Sequence, residues 1–173
     1  GGKSVMDDTY KKIIQGKKVI FVGPSPMLKG KGRGEWIDNE FDVVVRTNGS
    51  SFLLGNKEYQ KDYGSRMDVL YCNVQFHREM GPLPVEKWQR LYGLQFINFK
   101  ILNTHYERIY LKYIPVRKIT NLIRILQKQL PSILMGPILF KDILQFEPKS
   151  LYFIGMDFFI NKPDQFIDRK SVV

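Results

Sequence analysis

Two short apolar runs, each closed by a glycine, constrain the fold of this chain more than any other feature. Lys17-Lys18-Val19-Ile20-Phe21-Val22-Gly23 and Leu151-Tyr152-Phe153-Ile154-Gly155-Met156 are dense in β-branched and aromatic residues, with no alternation of polar and apolar positions. A strand of that kind has no face to offer water, so it must be buried on both sides. Similar runs occupy 41–48, with Val43-Val44-Val45 at the centre, and 67–73, and weaker ones occupy 93–99 and 108–113. Helical patterns lie between them. In 116–130, Ile119, Leu122, Ile123, Leu126 and Leu130 recur at steps of three and four, and Pro131 ends the segment. Residues 132–144 predict a second helix, with Ser132 as its N-cap. Strands and helices alternating without long polar linkers predict an α/β fold in three layers, a mainly parallel Rossmann-like sheet with helices on both faces.

A length of 173 residues predicts one domain, 1–173. At 43% hydrophobic and 25% charged, the composition excludes disordered and fibrous classes. The single cysteine, Cys72, can form no internal disulfide and no cysteine-based zinc site, which favours a cytoplasmic setting. No stretch reaches the ~18 apolar residues of a spanning helix. The net charge of +10 raises the local concentration of anionic ligands and favours phosphate-bearing partners. The terminal Lys170-Ser171-Val172-Val173 carries no helix stop signal, and predicts a chain that ends short of its natural C-terminus.

Ligands of parallel sheets bind beyond the carboxyl ends of the strands, so function is expected after Val22, Val45, Leu70 and Ile154. The first strand leads into Gly23-Pro24-Ser25-Pro26-Met27-Leu28-Lys29-Gly30-Lys31-Gly32-Arg33-Gly34, a glycine-rich basic loop whose amides could hold an anion. Its spacing matches neither the Walker pattern nor G-x-G-x-x-G, which argues against ATP hydrolysis and NAD chemistry. Arg46 and Asn48 stand two apart at the end of the second strand, a spacing that predicts both side chains on one side, reaching one ligand. Asn73 adds an amide where the third strand ends.

The ordered run from Lys17 to Asn73, with its strand, V-G-P-S loop, helix ending in Ile37-Asp38, Arg46-x-Asn48, Asp62-x-Gly64-Ser65-Arg66 and final Asn73, resembles the large sialyl motif of the sialyltransferases, glycosyltransferase family 29. Residues 131–158 are similar to the family's small motif. The resemblance implies a GT-A-variant-like α/β fold and an inverting, metal-independent enzyme that uses a CMP-linked sugar as substrate, with no cofactor and an unspecified acceptor. Carried over by position, it implies that Gly23 and Ser25 shape the loop around the donor phosphate, Asn48 and Asn73 contact the nucleotide, and Gly155 lets the last strand approach it. In the small motif, the family's carboxylate-binding Ser-Thr-Gly aligns with Ser132 or, shifted, with Gly136. A single cysteine implies a bacterial, phage or viral-type relative without the Golgi disulfide.

Three departures limit the carry-over. Pro24 stands where many members have a donor-contacting Asn. Either alignment of the small motif loses a carboxylate donor, which leaves the transferred sugar open. The family's catalytic His follows the small motif, whereas this chain has only His77 and His105, both before it. An inverting transfer needs a group to accept the acceptor hydroxyl's proton, worth roughly 10²- to 10⁴-fold in rate. Three readings stand: the chain is cut short, Asp157 or His105 substitutes, or the protein binds nucleotides without transferring. A nucleic-acid-binding module is the alternative from a different class, with the positive charge contacting phosphates and aromatics stacking bases. The scatter of basic residues through 11–18, 29–33, 116–128 and 168–170 argues against one continuous groove.

Overall fold

The computed structural model describes residues 5–72, 81–99, 104–119, 135–156 and 164–168. The chain opens with α1 (Val5–Ile14), whose Tyr10 and Ile14, one turn apart, are fully buried. Then come β1 (Lys18–Val22), α2 (Gly34–Glu40), β2 (Val43–Thr47), α3 (Asn48–Ser51), α4 (Lys57–Tyr63) and β3 (Val69–Cys72). The remainder comprises α5 (Val85–Tyr92), β4 (Phe96–Phe99), α6 (Thr104–Tyr110), β5 (Val116–Lys118), α7 (Met135–Leu144), β6 (Ser150–Ile154) and β7 (Asp164–Asp168). The strands form one sheet in the order β5-β4-β3-β2-β1-β6-β7. All pairs from β5 through β6 are parallel, and β7 adds to β6 antiparallel.

The two glycine-terminated runs are thus neighbours at the middle of the sheet. They pair in register from Lys18 with Ser150 to Val22 with Ile154. Alternate residues serve opposite faces, as strand geometry requires. Val19 and Phe21 join Leu151, Phe153, Tyr10 and the α7 residues Ile138, Leu139 and Ile143 in one core. Ile20, Val22 and Ile154 face the other way, onto Ile37 of α2 and Tyr63 of α4, and this second layer continues through Leu70, Ile97, Trp88 and Tyr110 beneath α5 and α6. Each such side chain contributes about 1.5–3 kcal/mol on burial, so both faces drive the sheet's formation. The α/β, three-layer reading of the sequence is what the structure shows.

The layering follows from chain direction. Strands β1 to β5 step one way across the sheet, and right-handed crossovers put their helices on one face. The chain then returns to the far side of β1, which puts α7 on the opposite face beside α1. Between β1 and β6 lies the point where strand order reverses, the position at which open α/β sheets bind ligands.

Three local readings are corrected. Residues 108–113 are the end of α6 and a turn, not a strand; Tyr110 and Ile114 are buried at helical spacing. Residues 116–118, read as the start of a helix, are the edge strand β5, and from 120 to 130 that segment lies outside the described residues. β7 was not anticipated. Among the described residues, no helix is long and apolar enough to cross a membrane.

Candidate functional site

Gly23 and Gly155 prolong the β1–β6 pairing past the ends of both strands. Gly23 N donates to Ile154 O at 2.8 Å and Ser25 N donates to Gly155 O at 2.9 Å. A Cβ on Gly23 would collide with Met156 Sδ and the Gly155 carbonyl, and one on Gly155 would come within 2.7 Å of Gly23 O. Gly155 also has φ +71°, a conformation that only glycine adopts without strain. The two backbones meet at the switch point because neither carries a side chain there.

Ser25 is held rather than presented. It is 1% exposed, its Oγ accepts from Met27 N at 3.2 Å to cap the turn Pro26–Leu28, and its carbonyl accepts from the Tyr63 hydroxyl at 2.7 Å. The loop is therefore pinned to α4 from below.

Arg46, predicted to reach a ligand beside Asn48, does not present its side chain at the edge. It is 0% exposed; Nε donates to Arg66 O and Nη2 to Tyr63 O, both at 2.7 Å, while Nη1 has no hydrogen-bond partner among the described residues. Burial lowers its pKa to about 10, against the opposing fields of Asp38 and Asp68, so it stays charged at neutral pH. The two-residue rule failed because β2 ends at Thr47 and Asn48 already belongs to α3. Asn48 nonetheless begins the segment that leaves the sheet next to Gly23, since Val22 pairs with Arg46.

Gly136 is the second residue of α7, which precedes β6 and begins at the carboxyl edge. His105 lies in the first turn of α6 and is exposed. Asn73, Ser132, His77 and Asp157 fall outside the described residues. Gly23, Ser25 and Gly155 are thus brought into direct contact, Asn48 opens α3 directly after β2, and His105 belongs to α6, in the part of the chain that follows β4.

Much of the large-motif pattern is a clasp beneath the site. Asp38 accepts from Ser65 N, Ser65 Oγ and Arg66 N at 2.7–3.1 Å. Arg66 donates to the carbonyls of Asp38, Phe41 and Asp42 and pairs with Asp68 at 2.8 Å. Burial raises the Asp68 pKa, offset in part by the Val44 amide and by Arg66. These residues lock α2 and α4 to β2 and β3.

The basic loop also differs from the expected open phosphate cradle. The amides of Gly30 and Gly32 donate to the two oxygens of Asp62 at 2.8 and 2.9 Å. Lys29 sits over the Tyr59 ring at 5.8 Å and Arg33 over Trp36 at 5.1 Å. In the sequence Asp62 stands only as the first residue of the Asp62-x-Gly64-Ser65-Arg66 pattern; a contact across thirty residues leaves no local signal. Among the described residues, no group of three or more His, Cys, Asp or Glu side chains is placed to hold a metal ion.

The class this architecture defines is a Rossmann-like α/β domain with a glycine-built switch point between β1 and β6. No protein-family model matches the chain, and no curated protein matches it.

Proposed function

We propose that the domain binds a nucleotide-activated sugar, with a CMP-linked donor as the preferred class, at the carboxyl edge beside Gly23, Asn48 and Gly155, and transfers the sugar with inversion. The observation that carries the reading is the mutual approach of Gly23 and Gly155, buried against each other at the switch point, the place where open α/β sheets bind ligands. The ordered motif from Lys17 to Asn73 supports the cytidine preference. Arg46 contributes through its field: among the described residues its hydrogen bonds go to carbonyl oxygens and not to a carboxylate, and the part of its charge that Asp38 and Asp68 do not offset acts on the leaving group from two residues before Asn48.

In the transfer, the acceptor hydroxyl oxygen attacks the anomeric carbon from the side opposite the phosphate. The bond from that carbon to the phosphate oxygen breaks, CMP leaves with the electron pair, and the hydroxyl proton passes to a base. Asp157 follows Gly155 by two residues, within ~7 Å of chain reach. His105 lies in α6, which comes after β4, and β4 is three strands, or about 14 Å, from β1 across the sheet. Asp157 is therefore the first choice of base and His105 the second.

A thermal-shift panel of cytidine, uridine, guanosine and adenosine mono- and diphosphates tests the reading. Saturating CMP at a hundred times its Kd is expected to add about 2.7 kcal/mol, and more than the other nucleotides add. Asn48→Ala is expected to remove the shift while leaving the ligand-free melting temperature in place. A panel without any shift, or a shift that survives Asn48→Ala, counts against the assignment.

A further inference from the structure

Asp62 occupies the last turn of α4, where a carboxylate meets the negative end of the helix dipole. Its position is offset from another part of the chain, by the two amide hydrogen bonds from Gly30 and Gly32, one to each oxygen. Those glycines have φ of +75° and +64°, a left-handed conformation, and their two N–H groups face the same carboxylate while the Lys31 amide between them donates to Leu28 O at 3.1 Å. The same two bonds hold the Asp62 carboxyl below its ordinary pKa. The loop is thus a working anion receptor whose resident is the protein's own side chain.

A cavity of about 400 Å³ opens against Gly32. Lys57 and Lys61 line it, together with Gln60, Glu35, Asp38 and Ser65. Of its two acids, Asp38 is already engaged by Ser65 and by the Arg66 amide. Lys61 reaches Glu58 at 3.3 Å in an exposed pair, a contact weak enough to exchange. Lys31, between the two glycines, is exposed.

We infer that the Gly30–Gly32 concavity is a binding site for the phosphoryl group of a phosphomonoester, filled in the free protein by the Asp62 carboxylate and entered through the adjoining cavity. A phosphate offers the two amides the same pair of oxygens as the carboxylate does. It adds a third oxygen and a second charge within reach of lysines. Asp62 competes as a tethered ligand with an effective concentration in the millimolar range, so external phosphate binds the native chain weakly. This site is separate from the β1–β6 edge and does not rest on the nucleotide reading.

The test is amide NMR on the ¹⁵N-labelled full chain, titrated with inorganic phosphate, glucose 6-phosphate and CMP. For Asp62→Ala, saturable shifts at Gly30 and Gly32 are expected at phosphate concentrations at least tenfold lower than for the native chain. Asp62→Asn, which retains an acceptor for the loop, is expected to fall between the two and guards against a misfolded Ala variant. Glucose 6-phosphate is expected to bind more tightly than inorganic phosphate, and Lys57→Ala in the Asp62→Ala background to weaken both. Failure of both Asp62 variants to gain phosphate affinity overturns the proposal, and equal binding of ester and free phosphate removes the cavity from it. CMP shifts confined to Gly23 and Gly155 would leave the two sites distinct, whereas CMP shifts confined to Gly30 and Gly32 would support this site and count against the edge.

Discussion

Arg117 on β5 and Arg46 on β2 are both withdrawn from water against the sheet, and the two faces treat them in opposite ways. On the α1–α7 face, Arg117 donates two hydrogen bonds of 2.8 Å to Asp142, one of 2.6 Å to Asp7 and one of 2.9 Å to Asn98. The Tyr71 hydroxyl donates to Asp142 at 2.7 Å, so Tyr10, 2.7 Å from Tyr71, donates in turn to it. These partners raise the Arg117 pKa despite its burial. On the α2–α4 face, Arg46 donates to two carbonyl oxygens, and burial lowers its pKa. One face is electrically closed and ties α1 and α7 to β3, β4 and β5. The other holds its cation on carbonyl oxygens, with Asp38 and Asp68 acting on it only through their fields. The contrast separates an arginine paired directly with carboxylates from one held by backbone carbonyls.

The largest expected effect comes from breaking the closed face. Asp142→Ala leaves a buried arginine without its main partner and is expected to cost about 3–5 kcal/mol in urea unfolding; a loss below about 1 kcal/mol would erase the distinction between the faces. Gly155→Ala forces a side chain into a left-handed conformation against the Gly23 carbonyl, for an expected loss of about 1–3 kcal/mol, read as a lowered melting temperature. Arg46→Met removes two charge-assisted hydrogen bonds and also relieves a buried charge. The net cost is expected to be about 1 kcal/mol, accompanied by a weaker CMP shift, and a cost matching Asp142→Ala would contradict the comparison. The smallest effect concerns acid. Because the folded-state pKa of Asp62 is depressed, its bonds to Gly30 and Gly32 contribute fully above the unfolded value of ~3.9 and fade as pH falls through the lower folded value. The amide shifts of those glycines between pH 6 and pH 2 read this directly.

The central sheet was legible because β1, β2, β3 and β6 are apolar on both faces, a pattern with few alternatives once glycines mark the ends. Short segments were not. Residues 108–113 carry the aromatic and β-branched content of a strand, yet Tyr110 and Ile114 pack at helical spacing; a few residues cannot separate the two periods. β5 was hidden because three residues of edge strand precede an apolar pattern of period near 3.6. In the site, Gly23 and Gly155 could be read as glycines at strand ends, but their contact required knowing that β1 and β6 are neighbours. Arg46 was misplaced because strand alternation was carried one residue beyond the strand. Asp62 was missed because its partners lie on a loop thirty residues earlier, and the sequence shows only a basic loop with apparently open amides.

The most direct test of the central claim is amide mapping with CMP on the native chain. The account predicts saturable shifts at Gly23, Asn48 and Gly155, with Val69 and Leu70 in the middle of the sheet unmoved. Saturable CMP binding that leaves all three edge residues untouched would contradict it.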